Sequence, residues 1–246
     1  MRALILAAGW ATRMGELAAG QPKHLLPIGR RTPLDFVVDA LDAVPIVERI
    51  DVLTHEGFRA DFEAWRAARG AGAPRIWGNE TSRFEERRGA VADLHFFLER
   101  AEVDDDLLVL GGDQVFDFDL RPFAAIARRE PAILLYDVGS TALVRRYASV
   151  EIDAAGTIVR LVEKDPEPRS TLAAPAIYGL PAAALGEVAA YLAAGGAPDN
   201  LGWLAEWLVR RRPVRGPVAR GRWLFRPLHK GERPPFTRQV GNRPAG

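Results

Sequence analysis

The chain has 246 residues, with 48% hydrophobic and 26% charged side chains and a formal net charge of +1. This composition is ordinary for a globular protein, provides a core for one large domain or two small ones, and gives no overall attraction for nucleic acid. The absence of cysteine excludes disulfides and thiolate metal sites. Because no apolar run could span a bilayer and Met1 leads directly into a strand, we expect a cytoplasmic protein without a signal peptide.

Strands and helices are predicted to alternate through the first half of the chain. Predicted strands cover 2–6, 50–54, 74–77, 107–110 and 132–136, and predicted helices cover 92–101 and 123–129, with a third around Phe58, Phe62 and Trp65. We interpret these aromatics, which fall at helical spacing, as core packing. Residues 107–110 are all apolar, as is typical of a strand in the middle of a parallel sheet. This alternation favours a layered α/β fold.

The second half of the chain has a different pattern. Two predicted strands, 149–152 and 158–162, flank the turn sequence of residues 153–156, which indicates a β-hairpin. A further strand is predicted at 174–180, and helices at 182–192 and 204–210. We therefore expect a mixed sheet whose later strands form a lobe of their own.

A basic cluster follows the last predicted helix. It contains Arg210, Arg211, Arg212, Arg215, Arg220 and Arg222. Cations suit the C-terminal ends of helices, so a solvent-exposed helix end is the simplest interpretation. A nucleic-acid site would need interleaved aromatics and a basic domain, whereas the net charge here is only +1. A contact with phosphate or with a neighbouring subunit stays open.

The most distinctive pattern is a loop of small residues directly after the first strand. Residues 7–15 supply alanines, glycines, a hydroxyl and Arg13, and Lys23 follows. Small residues let backbone N–H groups approach phosphates closely, and cations beside them bind the charge. The loop is not a Walker A motif, because Gly20 is followed by Gln21, and it lacks the second glycine of the dinucleotide-binding fingerprint. By itself, such a loop fits an ordinary strand-to-helix turn equally well.

The order Gly-x-Ala-Thr-Arg-Met followed by Pro-Lys-x-Leu-Leu-Pro is more specific. Residues 6–14 together with 22–27 resemble the signature of the sugar-1-phosphate nucleotidyltransferases, the glucose-1-phosphate thymidylyltransferase group. The pair Trp10-Ala11 is similar to a variant of the family's Gly-x-Gly-Thr-Arg sequence. Further segments resemble family motifs in the family's order, namely 88–93, 108–113, 147–150 and 163–166, the last being similar to Glu-Lys-Pro. The resemblance covers about residues 1–225.

This resemblance implies a fold and a domain organisation. The expected fold is α/β, a three-layer Rossmann-like mixed sheet of the nucleotide-diphospho-sugar transferase (GT-A-like) type. Residues 1–233 are expected to form a single nucleotidyltransferase domain, with a nucleotide-binding half at about 1–135 and a sugar-phosphate-binding half at about 136–233. Residues 234–246, rich in proline, glycine and arginine, are expected to be a poorly ordered tail.

The resemblance also implies an activity. A sugar 1-phosphate attacks the α-phosphorus of a nucleoside triphosphate, which gives a nucleoside-diphosphate sugar and pyrophosphate with the help of Mg²⁺. The expected partners are therefore a nucleoside triphosphate and a sugar 1-phosphate, with no nucleic acid and no membrane. Family relatives are often oligomeric, so a homo-oligomer is an open expectation. Because both reactants are anions, catalysis should consist mostly of positioning and charge neutralisation.

Three residues are the candidate catalytic groups. Arg13 is expected to grip the β- and γ-phosphates, and Lys23 to act as a point charge near the α-phosphate. Asp113 follows an apolar strand and two glycines, has no neighbouring cation in the sequence, and is the expected Mg²⁺ ligand; a turn-forming aspartate is the alternative. Asp117 and Asp119 are more simply interpreted as helix caps.

The expected binding residues form two sets. The nucleotide-binding set is Leu6, Ala8, Gly9, Trp10, Ala11, Thr12, Arg13, Lys23, Asn79, Arg88, Gly89 and Gly112. The sugar-phosphate-binding set is Tyr147, Ala148, Glu163 and Lys164, in which Lys164 meets the phosphate and Glu163 accepts sugar hydroxyls by resemblance. Ala148 stands where the family usually has glycine.

One departure from the family concerns the metal. The family usually has Trp-x-Asp-x-Gly near the end of the domain, and Phe225 occupies the position of that aspartate. Either Asp113 suffices with phosphate and water, or another carboxylate such as Asp199 replaces it, or activity is reduced or lost. Two alternative functions therefore stay open. One is a cytidylyltransferase acting on inositol phosphate or choline phosphate, and the other is a non-catalytic nucleotide-binding homologue.

Overall fold

The largest element of the computed structural model is a six-stranded sheet with the strand order β3-β2-β1-β4-β11-β6. The structure describes residues 1–9 and 21–224. In chain order, its strands are β1 (Arg2–Leu6), β2 (Arg49–Thr54), β3 (Arg75–Gly78), β4 (Leu107–Gly111), β5 (Val115–Phe116), β6 (Ala132–Ile133), β7 (Tyr136–Asp137), β8 (Ala148–Ile152), β9 (Ile158–Glu163), β10 (Leu172–Ala174), β11 (Ile177–Leu180) and β12 (Trp223–Leu224). Strands β3, β2, β1 and β4 run parallel, whereas β11 is antiparallel to β4 and β6 is antiparallel to β11.

Helices cover both faces of this sheet. The described helices are α1 (Pro33–Asp42), α2 (Arg59–Arg69), α3 (Ala90–Arg100), α4 (Arg121–Ala127), α5 (Thr141–Val144), α6 (Gly186–Ala193) and α7 (Leu201–Arg211). All of them except α5 contribute buried side chains to the cores on the two faces. A capping box begins α1, in which the Thr32 hydroxyl accepts a bond from the Asp35 N–H and the Asp35 carboxylate accepts one from the Thr32 N–H. Among the described residues, no helix is both long and apolar enough to cross a bilayer.

The side chains of the central strands alternate between two hydrophobic cores. In β1, Ile5 packs with α1, α2 and α4 on one face, and Leu4 packs with α3, α6 and α7 on the other. Phe62 of α2 is fully buried, while Phe58 and Trp65 pack partly buried against the first core. The core role predicted for these aromatics is confirmed, and so is the three-layer mixed α/β fold.

A second sheet carries the later strands, in the order β7-β10-β8-β9 and antiparallel throughout. The predicted hairpin is present between β8 and β9. Its turn is closed by the Asp153 carboxylate, which accepts bonds from the N–H groups of Ala155 and Thr157, both at 2.9 Å. A short pairing of β12 with β5 forms a third, two-stranded sheet.

Two predicted strands are each divided between the sheets. The segment 132–136 was predicted as one strand, but it contributes β6 to the main sheet and begins β7 of the second sheet. The intervening Leu134 and Leu135 are buried in the cores on the two opposite faces of the main sheet. The apolar run, which resembles a single strand, is therefore the point at which the chain passes from one sheet to the other. The predicted strand 174–180 is divided in the same way, into β10 and β11.

The second division places Ala176 between the two sheets. Its φ is +45°, in the left-handed region, which turns the chain out of the line of β10. The Ala176 carbonyl accepts bonds from the Gly111 N–H at 3.1 Å and from the Gln114 side chain at 3.2 Å. The junction of the sheets is therefore bonded to the loop that follows β4.

The basic cluster, which begins in the last turn of α7, is largely paired with acidic side chains. Arg210 pairs with Glu206, Arg211 and Arg212 with Glu187, Arg215 with Glu130, and Arg222 with Asp117. The Asp117 carboxylate also accepts a bond from the Arg222 N–H, so Asp117 joins β5 to the segment before β12 rather than capping a helix. Asp119 accepts the N–H of Arg121, the first residue of α4, but the N-cap position is Leu120, so Asp119 lies one residue before the cap.

Candidate functional site

The loops that follow β1 and β4 lie side by side at the carboxyl ends of these parallel strands. The Ala7 N–H donates to the Leu53 carbonyl at 2.8 Å, and the Gly112 N–H donates to the Leu6 carbonyl at 3.0 Å. Ala8 and Gly9 follow directly. In open α/β sheets ligands bind at this edge, so residues 7–9, the described start of the predicted nucleotide loop, lie where a ligand is expected.

Lys23 lies over Gly9 and forms an ion pair with Asp113. The Lys23 Nζ atom is 2.5 Å from Asp113 Oδ2, and the two side chains are 28% and 45% exposed. A Cβ atom at Gly9 would lie 3.7 Å from that Nζ, so the ammonium is close to the loop backbone. The expectation that Asp113 has no cation beside it is wrong, because two loops distant in sequence converge here.

Electrostatics keep the Asp113 carboxyl ionised. Burial by the surrounding protein favours the neutral acid, but the Lys23 ammonium and its hydrogen bond outweigh this effect and hold the pKa of Asp113 below its ordinary value. An ionised, partly exposed carboxylate at a strand end can ligate a hard divalent cation. Among the described residues, no three histidine or acidic side chains cluster in a way that would hold a metal ion by themselves.

His24 packs against Gly112, beside the Lys23–Asp113 pair, and this role was not predicted from the sequence. Its side chain is buried, and a Cβ atom at Gly112 would lie 3.2 Å from His24 Cδ2. Burial and the adjacent Lys23 ammonium lower the pKa of His24 to about 3, so the imidazole is neutral at physiological pH. The neutral ring adds packing to the loop but no positive charge. A histidine within an apolar stretch gives no sequence signal that distinguishes this role.

Asn79 lies at the carboxyl end of β3, but its side chain is used within the protein. It is 2% exposed; its Nδ2 donates to Asp93 at 2.8 Å, and its Oδ1 accepts from the Thr81 hydroxyl at 2.7 Å. Burial raises the pKa of Asp93 to about 6, against the opposing effects of the Asn79 bond and the Arg88 charge. The base-binding role of Asn79 stays a prediction, and the structure gives its amide a structural role.

Arg88 is held between Asn79 and helix α3. Its Nε donates to the Asn79 carbonyl at 2.8 Å, and its guanidinium lies 4.5 Å from the centre of the Phe96 ring. The guanidinium is also 3.6 Å from the Glu80 carboxylate. These contacts fix the approach to Gly89, the residue before α3.

Gly89 is packed against the backbone of the segment before α7. Its φ is +94°, and a Cβ atom there would lie 2.6 Å from the Pro198 carbonyl oxygen. The carbonyls of Pro198 and Asp199 accept bonds from the N–H groups of Val91 and Ala90, at 2.8 and 3.4 Å. The described contacts thus place Asp199 at the start of α3, where its backbone carbonyl satisfies a helix N–H group.

We expect Gly89→Ala to destabilise the protein by about 3 kcal/mol, because it combines a left-handed backbone with a clash against a carbonyl. Gly195→Ala is the matched control, since Gly195 has a φ of +81° and open space around its Cβ position. The control should cost about 1 kcal/mol in the free energy of unfolding, measured with urea. Equal losses in the two variants would contradict the close approach of Pro198.

The predicted acceptor residues cluster at one end of the second sheet. Ala148 pairs with Glu163 across β8 and β9, and the Lys164 N–H donates to the Tyr147 carbonyl at 3.0 Å. Burial raises the pKa of Tyr147 to about 12, which keeps its hydroxyl neutral. Its ring centre is 5.1 Å from that of Trp223. The structure therefore brings the four predicted acceptor residues together.

Glu163 is held by the first turn of α7. Its Oε1 accepts a bond from Asn200 Nδ2 at 2.8 Å, and a Cβ atom at Gly202 would lie 2.1 Å from its Oε2. Asn200 also caps α7, because its side-chain oxygen accepts the Gly202 N–H at 2.8 Å. The segment 198–202 thus connects Gly89, on the predicted base side, with Glu163 on the predicted acceptor side.

Some predicted site residues cannot be placed. Trp10, Ala11, Thr12, Arg13 and Phe225 lie outside the described residues. Within the described part of the chain, no hydrogen bond or ion pair joins Lys164 to Lys23 or Asp113, so their roles on a common ligand stay predictions. The described Leu224 pairs with Val115, two residues from Asp113.

Known proteins resemble this chain in sequence and fold. A glucose-1-phosphate thymidylyltransferase of Actinoplanes sp. is 28% identical over 180 residues, covering 72% of this chain and 57% of the relative. One of Streptomyces griseus is 28% identical over 229 residues, covering 91% of this chain and 61% of the relative. A glucose-1-phosphate adenylyltransferase of Thermotoga neapolitana is 31% identical over 191 residues, covering 72% of this chain and 44% of the relative. The chain thus spans less than two thirds of the length of these relatives.

A crystal structure from Bacillus anthracis, described as a glucose-1-phosphate thymidylyltransferase in complex with a sucrose, shares the fold. Its TM-score is 0.76 at 22% sequence identity, and the match covers 91% of this chain and 88% of that one. The family model described as nucleotidyl transferase matches residues 2–202, which include both loops of the Lys23–Asp113 site and the Glu163–Lys164 turn. With most of its length matched in this way and its strands in the fold of that family, the chain belongs to the nucleotidyl transferases.

Proposed function

We propose that the protein transfers a nucleoside monophosphate from a nucleoside triphosphate to a sugar 1-phosphate, with release of pyrophosphate. The observation that carries the proposal is the group formed by Gly9, Lys23 and Asp113 at the carboxyl ends of β1 and β4. It offers a close backbone, a cation and an ionised carboxylate at the edge of the sheet where ligands bind. Family membership and the thymidylyl- and adenylyltransferase relatives support the same reaction.

In the proposed reaction, an oxygen of the sugar phosphate attacks the α-phosphorus and forms a new P–O bond. The bond between the α-phosphorus and the bridging oxygen breaks, and pyrophosphate leaves with the electron pair. Lys23 would neutralise the negative charge on the α-phosphate, and Lys164 would bind the acceptor phosphate. Arg13, from its sequence position, would hold the leaving pyrophosphate. Separate cations for two mutually repelling anions favour their approach.

Mg²⁺ is part of this proposal, with Asp113 as its protein ligand. The donor set fits, because Mg²⁺ commonly takes one or two carboxylates together with substrate phosphates and water. When bound, it would supply charge neutralisation on the phosphate oxygens. The ion pair with Lys23 implies that the ammonium and a metal ion compete for the same carboxylate.

The proposal is tested by measuring pyrophosphate release from each nucleoside triphosphate with a panel of phosphate acceptors and Mg²⁺. The panel contains several sugar 1-phosphates, inositol phosphate and choline phosphate. We expect turnover with at least one sugar 1-phosphate. Turnover only with CTP and a non-sugar phosphate would assign the cytidylyltransferase alternative instead.

A non-catalytic nucleotide-binding protein is the second candidate, favoured by Phe225 at the position of the family's second metal-binding aspartate. It predicts that triphosphates bind, as seen by calorimetry, while no acceptor in the panel yields pyrophosphate. Binding without turnover across the whole panel would therefore replace the proposed transfer reaction.

A further inference from the structure

The turn after β9 contains a buried carboxylate that the proposed reaction does not use. Asp165 follows Lys164, and its side chain is only 3% exposed. The Arg160 guanidinium is 2.7 Å from Asp165 Oδ2, and the Glu167 N–H donates to Asp165 Oδ1 at 3.0 Å. The close contact with the Arg160 guanidinium, followed by the bond from the Glu167 N–H and the Arg160 charge, holds the pKa of Asp165 below its ordinary value against the effect of burial. Asp165 is thus ionised, with a hydrogen bond to Oδ1 and an ion pair at Oδ2.

Lys164, directly before it, has an unusual backbone. Its φ is +52°, in the left-handed region that residues with a side chain rarely adopt. Such a conformation is unfavourable for a residue with a Cβ atom and persists only where the surrounding structure imposes it. Here the Lys164 N–H donates to the Tyr147 carbonyl on one side, and the ionised Asp165 is fixed on the other. The side chain itself is exposed, so the strain does not serve to bury it.

The residue after Lys164 accounts for its left-handed backbone. The segment resembles the family's Glu-Lys-Pro, but this chain has Asp165 between Lys164 and Pro166. Because the inserted residue carries the contacts to Arg160 and to the Glu167 N–H, it determines the path of the chain that leaves Lys164. A left-handed residue at the end of a strand redirects the chain there, and the bonds of Asp165 hold it in that direction.

We propose that Asp165, held by Arg160, is a positioning residue that keeps Lys164 in its left-handed conformation and so presents the ammonium to the phosphate of the acceptor. This inference rests on the proposed function. It predicts a specific kinetic effect, because loss of the ion pair would loosen the acceptor-binding cation and leave the Lys23–Asp113 site intact. An interaction lost equally from the ground state and the transition state raises KM without changing kcat.

The test is Asp165→Asn, which keeps an oxygen acceptor for the Glu167 N–H and removes the charge that faces Arg160. We expect the KM for the acceptor to rise by about tenfold, which corresponds to the loss of a well-placed charged contact, while the KM for the triphosphate stays within about twofold. Asp119→Asn is the matched control, since Asp119 is 45% exposed, pairs with Arg121 and lies outside the predicted site. It should change neither constant.

A double-mutant comparison separates positioning from a general effect on the fold. If Asp165 acts through Lys164, Asp165→Asn should add no further rise in the acceptor KM when Lys164 is already alanine. Hydrogen exchange supplies a readout that does not depend on turnover, because the Lys164 N–H should exchange faster in Asp165→Asn than in the wild type. Arg160→Lys, which keeps a cation but loses the planar fork, should give a smaller rise in KM and serves if Asp165→Asn does not fold.

The outcomes distinguish this inference from the function on which it rests. An active wild type whose acceptor KM is unchanged by Asp165→Asn and by Arg160→Lys would overturn the positioning role alone. Additive effects of Lys164→Ala and Asp165→Asn would overturn it as well, since they would show that Asp165 acts independently. A wild type without turnover across the acceptor panel would instead overturn the proposed function, and the positioning role with it.

Discussion

Asp113→Asn is expected to lower kcat/KM by about a thousandfold or more, the largest effect on activity that the structure predicts. The substitution preserves the shape of the side chain and its contact with Lys23 but removes the negative charge. Without that charge, the proposed Mg²⁺ loses its protein ligand among the described residues, and Lys23 loses its ion-pair partner. Pyrophosphate release at saturating Mg²⁺ measures the effect.

The same variant separates the two candidate functions. A nucleotide-binding protein without catalysis predicts that Asp113→Asn retains its function, whereas a transferase predicts near-complete loss. Asp119→Asn, an exposed aspartate on the neighbouring segment, should retain full activity. Metal binding measured directly, with Mn²⁺ as a paramagnetic probe, should weaken in Asp113→Asn and remain unchanged in Asp119→Asn.

Asp51→Ala is expected to cost about 3–5 kcal/mol of the free energy of unfolding, because it leaves a buried guanidinium unpaired. Asp51 of β2 is fully buried, and its Oδ2 is 3.0 Å from the Arg2 guanidinium, whose side chain is 10% exposed. Its Oδ1 accepts the Trp77 indole N–H at 2.8 Å. Arg2 also donates to the Ala101 carbonyl and lies over the Phe97 ring, so it cannot easily turn outward to water.

Two further variants test the cause of this loss, with the free energy of unfolding measured in urea. Glu63→Ala removes an exposed partner of Arg66, 3.4 Å away, and should cost less than about 0.5 kcal/mol. The double variant Arg2→Met with Asp51→Leu should recover part of the lost stability, because neither charge of this pair remains buried. If Asp51→Ala were no more damaging than Glu63→Ala, the buried pair would contribute no more than a surface pair.

The layered fold was predictable because its main signals are local. The apolar strands at 2–6 and 107–110 and the helical spacing of the Phe58–Trp65 segment each reflect burial on one or both faces, which the residue types display directly. The divided strands were not predictable in this way. Leu134 and Leu135 are apolar because each faces a different core, and a one-dimensional pattern cannot distinguish that arrangement from a single strand buried on both faces.

The candidate site residues could be listed from the sequence, but the contacts between them could not. Lys23 and Asp113 were each identified from motifs, yet their ion pair joins residues 90 positions apart and depends on the order of strands in the sheet. The bonds that Asn79 makes with Asp93 and the packing of Pro198 on Gly89 are likewise tertiary. The burial of Asp165 and its pairing with Arg160 gave no signal, because a buried ion pair at a turn resembles an ordinary polar turn in the sequence.

The carbonyl of Ala176 has a consequence for recombination between family members. Because this one atom accepts bonds from both Gly111 and Gln114, exchanging the second sheet for that of a relative would also alter the support of the loop that carries Asp113. Under the proposed function, a chimaera whose crossover separates Ala176 from residues 107–114 is expected to change both triphosphate turnover and the preference for the acceptor. A crossover that takes residues 107–114 and residue 176 from the same parent keeps these bonds between matched residues. Such a chimaera is expected to change acceptor preference without changing triphosphate turnover.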